Sequence, residues 1–350
     1  MTYFFETYGC QMNIAESAAV EQLLISRGWT KAYDVQVCDL AIINTCSVRQ
    51  TAENRILGRL GWFTGLKALR ACKPGAKSKT LELAAEYVKD GPKPITVVVM
   101  GCMAERLLKS LQKDYPVVDY VIGTYAKNQF GNIISAIENN SNPKNLKLIN
   151  NPEQYEFSAI SLEPGAFSAF VPIMHGCNNF CTYCIVPYVR GREVSRSLDE
   201  ILKEIDVLSK YNVKEITLLG QNVNSYSFEG IDFPTLLERI CDHIEKTQSS
   251  IGWIRFMSSH PKDLSEKLID VISRRKQLCH HIHLPVQHGS TKVLKEMNRR
   301  YTRDDYISLV EKIKKSIPDV SLTTDIMVGF PGETEEDFEE VLSLMNIIMY

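Results

Sequence analysis

The residues best suited to chemistry lie close together: Cys177, Cys181 and Cys184 fall within eight positions, spaced C-x3-C-x2-C. Three thiolates on one loop can close on one point, which makes the loop a metal or cluster site. No fourth cysteine completes it. A tetrahedral zinc ion or a four-iron cluster has four positions to fill, so three protein ligands leave one open. An open position suits a catalytic centre rather than a closed structural one.

Such a loop needs a rigid base. The apolar run Phe170-Val171-Pro172-Ile173-Met174 reads as a buried strand ending at His175-Gly176, directly before the first cysteine. Downstream, strands at Glu215–Leu219, Trp253–Met257, His281–Val286 and Ser321–Val328 alternate with helices at about 198–211, 233–246, 264–274, 292–300, 303–315 and 334–350. Five strand–helix units in succession favour a barrel-like parallel sheet with its site at the C-terminal ends of the strands. Polar residues gather at those ends: Gln221 and Asn222, Ser258, Ser259 and His260, Gln287 and His288, then the Gly329-Phe330-Pro331-Gly332-Glu333 turn. Singly each suits a turn or cap; together they make a pocket. Tyr183, between the second and third cysteines, is placed to pack on a flat ring or on its own loop. Glu333 stands where a helix start favours negative charge.

The first part of the chain repeats the same logic. Strands at 1–8, 39–44, 95–100 and 117–122 alternate with helices at about 13–27, 52–57, 104–113 and 128–138, which implies a parallel sheet. Cys10, Cys46 and Cys102 each follow a different strand. Ligands of such sheets sit beyond the carboxyl ends of the strands, so these thiols can meet at one edge as a second metal site. A lone buried cysteine is ordinary core filler; the shared context of three is what argues for a site. Between 61 and 94 the pattern loosens, with Lys67, Arg70, Lys73, Lys77 and Lys79 around Pro74-Gly75 and a helix expected at 80–89. The Asn-, Pro- and Ser-rich stretch from Ser141 to about Gly165 reads as a linker.

With 350 residues, 44% hydrophobic and 23% charged at a net charge of −2, the chain suits two globular domains. No global charge marks it for nucleic acid or membrane, so such a partner needs a local patch. Arg190, Arg192 and Arg196 beyond the cysteine loop, and Lys292, Lys295, Arg299 and Arg300 further on, are candidates for phosphate contacts or for packing and solvated faces. No apolar run reaches about 18 residues, and Met1–Glu6 lacks an export pattern. Ten cysteines in such a chain favour metal or redox chemistry over disulfides and point to the cytoplasm.

Taken with Tyr8-Gly9-Cys10-Gln11-Met12-Asn13, Asn44-Thr45-Cys46-Ser47-Val48-Arg49, Gly101-Cys102-Met103-Ala104, Leu219-Gly220-Gln221-Asn222-Val223-Asn224, Ser259-His260-Pro261, Leu284-Pro285-Val286-Gln287, Met297–Thr302 and Asp325–Thr334, the cysteine loop resembles the radical S-adenosylmethionine methylthiotransferases. Gln11-Met12-Asn13 resembles the class that acts on isopentenyl-modified adenosine of tRNA. The resemblance implies an α/β methylthiotransferase domain over 1–140, a linker over 141–166, and a partial (β/α) TIM-like radical barrel over 167–350. Family members continue with a sixth barrel strand and a TRAM domain that grips tRNA; the chain is expected to stop at Tyr350 before both.

The resemblance further implies two [4Fe-4S] clusters. Cys177, Cys181 and Cys184 would hold the one that reductively cleaves S-adenosylmethionine; Cys10, Cys46 and Cys102 would hold an auxiliary cluster carrying the inserted sulfur. Tyr183, Gln221, Asn222, Ser259, His260 and Gln287 are expected to contact S-adenosylmethionine, which would also supply the methyl group. The expected partners are the tRNA anticodon stem-loop bearing N6-dimethylallyladenosine and a reductant such as flavodoxin or ferredoxin, with no membrane and a monomeric chain. Single-stranded loop bases are the ones a protein can splay out. Cys38, Cys72, Cys241 and Cys279 are expected not to ligate. Sister classes act on threonylcarbamoyl-adenosine or a ribosomal protein aspartate. A different reading makes the six thiols structural zinc sites of a nucleic-acid-binding protein, against which stands the missing fourth ligand.

Overall fold

Apolar runs too continuous for a one-sided strand must be covered on both faces, and the first unit of the chain is built that way. A computed structural model describes residues 1–47, 50–73, 80–141, 146, 148, 155–157 and 165–350. By their contacts, Met1–Ser161 and Tyr188–Arg190 form one compact unit, and Leu162–Pro187 and Gly191–Tyr350 another. In the first, β1 (Thr2–Thr7), β2 (Thr30–Lys31), β3 (Leu40–Thr45), β4 (Thr96–Gly101) and β5 (Tyr120–Ile122) pair in the order β2-β1-β3-β4-β5. Every pairing is parallel.

The helices of this unit are α1 (Gln11–Ser26), α2 (Gln50–Arg70), α3 (Glu82–Tyr87), α4 (Cys102–Arg106), α5 (Leu111–Asp114) and α6 (Phe130–Glu138). Alternate residues of β3 and β4 point to opposite faces. Ala41, Ile43, Val97 and Val99 pack on Ile56, Leu60, Phe63 and Leu66 of α2. Leu40, Ile42, Val98 and Met100 pack on Val20 and Leu24 of α1 and Phe130, Ile133 and Ile134 of α6.

The loosening expected from Gly61 is not found: α2 runs unbroken to Arg70. Its buried stripe of Ile56, Leu60, Phe63 and Leu66 keeps helical spacing, while Gly58 and Gly61 face open space. Arg70, read as part of a basic cluster, is fully buried, with Nε donating to Lys93 O at 2.6 Å and Nη1 to Cys38 O. The helix expected at 104–113 is instead the two short pieces α4 and α5. The Pro74-Gly75 turn with Lys77 and Lys79, Val48 and Arg49, and most of 141–165 lie outside the described residues.

The second unit contains β6 (Ser168–Pro172), β7 (Met174–His175), α7 (Val186–Arg190, whose last residues belong to the first unit), β8 (Val194–Ser195), α8 (Leu198–Lys210) and β9 (Glu215–Leu219). It continues with β10 (Ser227–Phe228), β11 (Ile231–Asp232), α9 (Phe233–Thr247), β12 (Trp253–Phe256), α10 (Glu266–Arg274) and β13 (His281–His283). The last elements are α11 (Thr291–Glu296), α12 (Arg303–Ser316), β14 (Ser321–Thr323) and α13 (Glu335–Ile348). Parallel strands pair as β12-β9-β6 and as β13-β14, and a parallel bridge joins Ile254 to Leu278.

Five parallel strands followed by helices match the expected class, but the ladder comes in two pieces among the described residues rather than as a closed barrel. The strands expected to reach Val286 and Val328 end at His283 and Thr323. Pro285 has no N–H for a ladder, and beyond it only the bridge Gln287–Ile326 continues the pairing. Side-chain caps start the helices: Ser197 accepts from Glu200 N at 3.3 Å, Asp232 from Thr235 N at 2.9 Å, and Thr302 and Thr334 each form a capping box.

Candidate active site

The loop Cys177–Cys184 leaves β7 through Gly176, whose φ of +78° and crowding allow no side chain. A Cβ there would stand 2.0 Å from Arg192 O. Cys177 N donates to Gly191 O at 3.0 Å, and Cys184 N to Cys181 O at 2.9 Å. Phe180 takes a left-handed φ of +50°, with the Arg192 guanidinium 4.4 Å from its ring centre. Asn298 Nδ2 holds the loop's outer turn by donating to Asn179 O at 3.2 Å and Phe180 O at 3.0 Å. Thr182 N donates to Met297 O at 3.2 Å.

Arg299 is a buried, charged neighbour of this loop. Its Nη1 lies 3.5 Å from both Cys181 Sγ and the Tyr183 hydroxyl; Nη2 donates to Pro285 O at 2.8 Å and Nε to the Tyr301 hydroxyl at 3.0 Å. Burial pulls its pKa down, but Tyr301, Tyr183 and Cys181 outweigh that and hold it above the ordinary value. Burial pushes the Cys177 thiol up to about 11 and raises Cys184. A metal must therefore displace protons that burial retains, which couples ligation to pH.

The polar strand ends show what the pocket lacks. Among the described residues, Gln221 Oε1, Asn222 Oδ1, both side-chain polar atoms of Asn224, Ser259 Oγ and His260 Nε2 are buried without a hydrogen-bond partner. Asn222 is oriented by its other end, Nδ2 donating to Asp263 Oδ2 at 2.7 Å. His260 Nδ1 accepts from Lys262 N at 3.3 Å, so the neutral ring carries its proton on the free Nε2. Burial, then Arg299, Lys262 and Arg300, push its pKa down to about 2, and its ring meets Tyr301 edge-on at 5.6 Å.

These groups follow β9 and β12, neighbours in one parallel sheet with β6, which leads to the cysteine loop. Donors and acceptors left open at adjoining strand ends fit a polar ligand such as S-adenosylmethionine. Ser258 and Gln287 adopt φ of +68° and +72°, strain of the kind found at ligand sites. Gln287 is half-buried and held by its backbone, N donating to Asp325 O at 2.9 Å. Asn224, Asn298 and Tyr301 had no role in the sequence reading; they lie in the motifs quoted there, and only their contacts distinguish them.

In the first unit, Cys10 follows β1 at the start of α1, Cys46 follows β3, and Cys102 opens α4 after β4. The three strands are neighbours in the sheet. A Cβ on Gly9 (φ +133°) would stand 2.8 Å from Cys46 Cβ, so the Cys10 turn rests on Cys46. Asn13 Nδ2 ties the two turns together, donating to Tyr8 O and Thr45 O at 2.9 Å each. Thr45 Oγ1 reaches the third by donating to Met100 O at 2.6 Å and accepting from Ala104 N at 3.3 Å. Burial raises the Cys102 thiol, with Arg190 opposing and the charges of Glu16 and Cys10 adding to it.

Both triplets are neighbourhoods of soft sulfur donors and not closed shells: among the described residues, no three His, Cys, Asp or Glu side chains are gathered closely enough to hold a metal ion. Metal bonds commonly complete such a site, since ligation and folding are coupled. The remaining cysteines sit otherwise. Cys38 donates to Val35 O at 3.2 Å, burial pushes it and Cys241 up to about 12, and Cys72 is exposed.

The basic residues beside the loop divide. Arg190 and Arg196 are buried, paired with Glu16 at 2.8 Å and with Glu204, and so are packing residues and not surface contacts for phosphate. Arg299 is buried as well, Lys292 pairs with Asp337 at 2.8 Å, and Lys295 and Arg300 are exposed.

Residues 171–345 match the radical SAM superfamily, and residues 2–123 match Uncharacterized protein family UPF0004. Over its whole length the chain is 53% identical to the tRNA-2-methylthio-N(6)-dimethylallyladenosine synthase of Treponema pallidum (strain Nichols), covering 74% of that protein. The chain belongs to this family. Within it, the Treponema denticola protein of the same name is 51% identical over the whole chain and 75% of its own length. The Clostridium tetani protein is 44% identical over the whole chain and 72% of its own. Among solved structures, the radical S-adenosylmethionine methyltransferase TsrM from Kitasatospora setae superposes with a TM-score of 0.68 at 12% identity, covering 99% of this chain and 71% of that one. That likeness speaks to fold alone. The radical SAM domain brings a [4Fe-4S] cluster and S-adenosylmethionine as cofactors. No helix among the described residues is long and apolar enough to cross a membrane.

Proposed function

We infer that the chain methylthiolates carbon 2 of N6-dimethylallyladenosine in tRNA by radical chemistry. The observation that carries this is its identity of 53% over the full chain to a synthase of that name, joined to a radical SAM domain over 171–345. A cluster held by Cys177, Cys181 and Cys184 together with S-adenosylmethionine would supply the radical chemistry, and an auxiliary cluster held by Cys10, Cys46 and Cys102 would supply the sulfur.

The residues would divide as follows. Cys177, Cys181 and Cys184 hold the radical-generating cluster, on a loop kept in shape by Gly176 and Asn298. Cys10, Cys46 and Cys102 hold the auxiliary one. Neutral His260 offers a fixed Nε2–H donor and Asn222 a fixed Oδ1 acceptor to S-adenosylmethionine, with Gln221, Ser259 and Gln287 beside them and Tyr183 against the adenine. A second S-adenosylmethionine gives the methyl group. Residues 1–140 form the methylthiotransferase domain and 167–350 the radical core, joined by the linker at 141–166. The substrate is the anticodon stem-loop, the reductant a flavodoxin or ferredoxin, and the protein a cytoplasmic monomer.

The test is nucleoside mass spectrometry of tRNA from cells lacking the enzyme and expressing this chain. A methylthio group on dimethylallyladenosine is expected. Product on threonylcarbamoyl-adenosine instead, or none from a chain that has loaded about eight irons, overturns the assignment.

A further inference from the structure

The first unit takes in a short piece of chain from far along the sequence, Tyr188–Arg190, and its last side chain is driven into the interior. Arg190 is only 2% exposed, and all three guanidinium nitrogens are engaged. Nε stands 3.2 Å from Cys102 Sγ, Nη1 donates to Glu16 Oε1 at 2.8 Å, and Nη2 to Asn13 Oδ1 at 3.1 Å. The backbone beside it is pinned too, Val189 O accepting from Thr124 Oγ1 at 2.6 Å. Glu16 is shared with a second buried cation, Lys127 Nζ, at 2.5 Å.

Arg190 and Lys127 thus share the one Glu16 carboxylate. An unbalanced buried charge is costly unless a charge of opposite sign faces it. Arg190 Nε addresses the Cys102 sulfur, which as an iron-ligating thiolate would carry a charge of that opposite sign.

We propose that Arg190 is a positioning residue for the auxiliary cluster: its fixed guanidinium neutralises and orients the Cys102 sulfur, with Glu16 and Lys127 setting the net charge at that ligand. This rests on the reading that Cys10, Cys46 and Cys102 hold a cluster. Hydrogen bonds to ligand sulfurs and local charge are levers by which a protein tunes such a potential. A positive charge beside the sulfur favours the reduced cluster.

The test uses the chain with Cys177, Cys181 and Cys184 replaced by Ala, so that only the auxiliary cluster remains, followed by redox titration with spectroscopic readout. If this parent binds no iron, the cluster reading fails and the proposal falls with it. In a parent that binds about four irons, Arg190→Gln is expected to lower the reduced-to-oxidised ratio at fixed potential about tenfold, which is 59 mV for a one-electron couple. Glu16→Gln is expected to shift the ratio the other way. Should Arg190→Gln fail to fold, Lys127→Met replaces it, with the same sign and a smaller shift. Opposite signs support the proposal, because a merely structural defect has no reason to follow charge. Shifts of one sign, or none beyond twofold, overturn it.

Discussion

Replacing Glu16 with Gln tests how the buried charges hold the first unit together. Glu16 is 3% exposed and meets Arg190 Nη1 at 2.8 Å and Lys127 Nζ at 2.5 Å. At an effective dielectric near 20 each contact is worth about 6 kcal/mol before desolvation is subtracted. The net is far smaller. Burial raises the Glu16 pKa, but the two cations overcome this and bring it from its ordinary 4.5 to about 2. A shift of that size corresponds to about 3 kcal/mol, the lower end of what removing one partner of a buried pair costs.

Glu16→Gln keeps the shape and removes the charge, so urea unfolding should show a loss of roughly 3 kcal/mol, or about 6–12 °C in Tm for a unit of this size. Buried Trp29 reports on this unit by fluorescence. Adding Lys127→Met restores the original net charge and should recover a substantial part of the loss. The pH dependence has a defined sign. Because the folded pKa lies below the unfolded one, the contribution is complete above about pH 4.5 and disappears as pH falls through about 2. A single variant within about 0.5 kcal/mol of the parent, or a double variant worse than the single, would refute the electrostatic account.

Two further predictions concern the second unit. Gly176→Ala puts a Cβ 2.0 Å from Arg192 O at a φ of +78°, so loss of several degrees in Tm and of iron at the cysteine loop is expected, whereas Gly252→Ala, which meets nothing within 4 Å, should be neutral; equal Tm values for both would contradict the steric reading. His260 is held neutral by burial to about pH 2, so S-adenosylmethionine affinity measured by calorimetry should show no His260 titration between pH 5 and 8, and His260→Ala should weaken binding about tenfold, the worth of one buried hydrogen bond; an affinity falling through a pKa near 6.5 in the parent but not the variant would count against it.

Much of the fold could be read from the chain because parallel sheets advertise themselves: runs such as Leu40–Thr45 and Thr96–Gly101 are apolar on both faces. The placement of Cys10, Cys46 and Cys102 followed from that alternation alone. The second half of helix α2 was missed because Gly61 and Gly65 are poor helix formers, yet they fall off the buried stripe, so tertiary packing overrides propensity. Whether Arg190 and Arg196 met phosphate or packed inside stayed open because a sequence displays sign and not partner. Glu16 stands 174 residues from Arg190, and no local pattern joins them.

The proposed cofactor pocket shows the same division from the other side. That Asn222 and His260 follow strands was visible; that their free ends are buried with nothing to bind was not. A buried polar atom without a partner costs about 1–3 kcal/mol, and Gln221, Asn222, Asn224, Ser259 and His260 each carry at least one among the described residues. Even the low end of that range, summed over five side chains, is comparable to the roughly 5–15 kcal/mol by which a whole domain is stable. Five such groups at adjoining strand ends are therefore poor candidates for accidents of packing, because apolar residues of similar size would fold better. A ligand that meets them with its own donors and acceptors converts the same groups from a burden on folding into binding energy. That is the physical reason to look for S-adenosylmethionine there, ahead of any single contact.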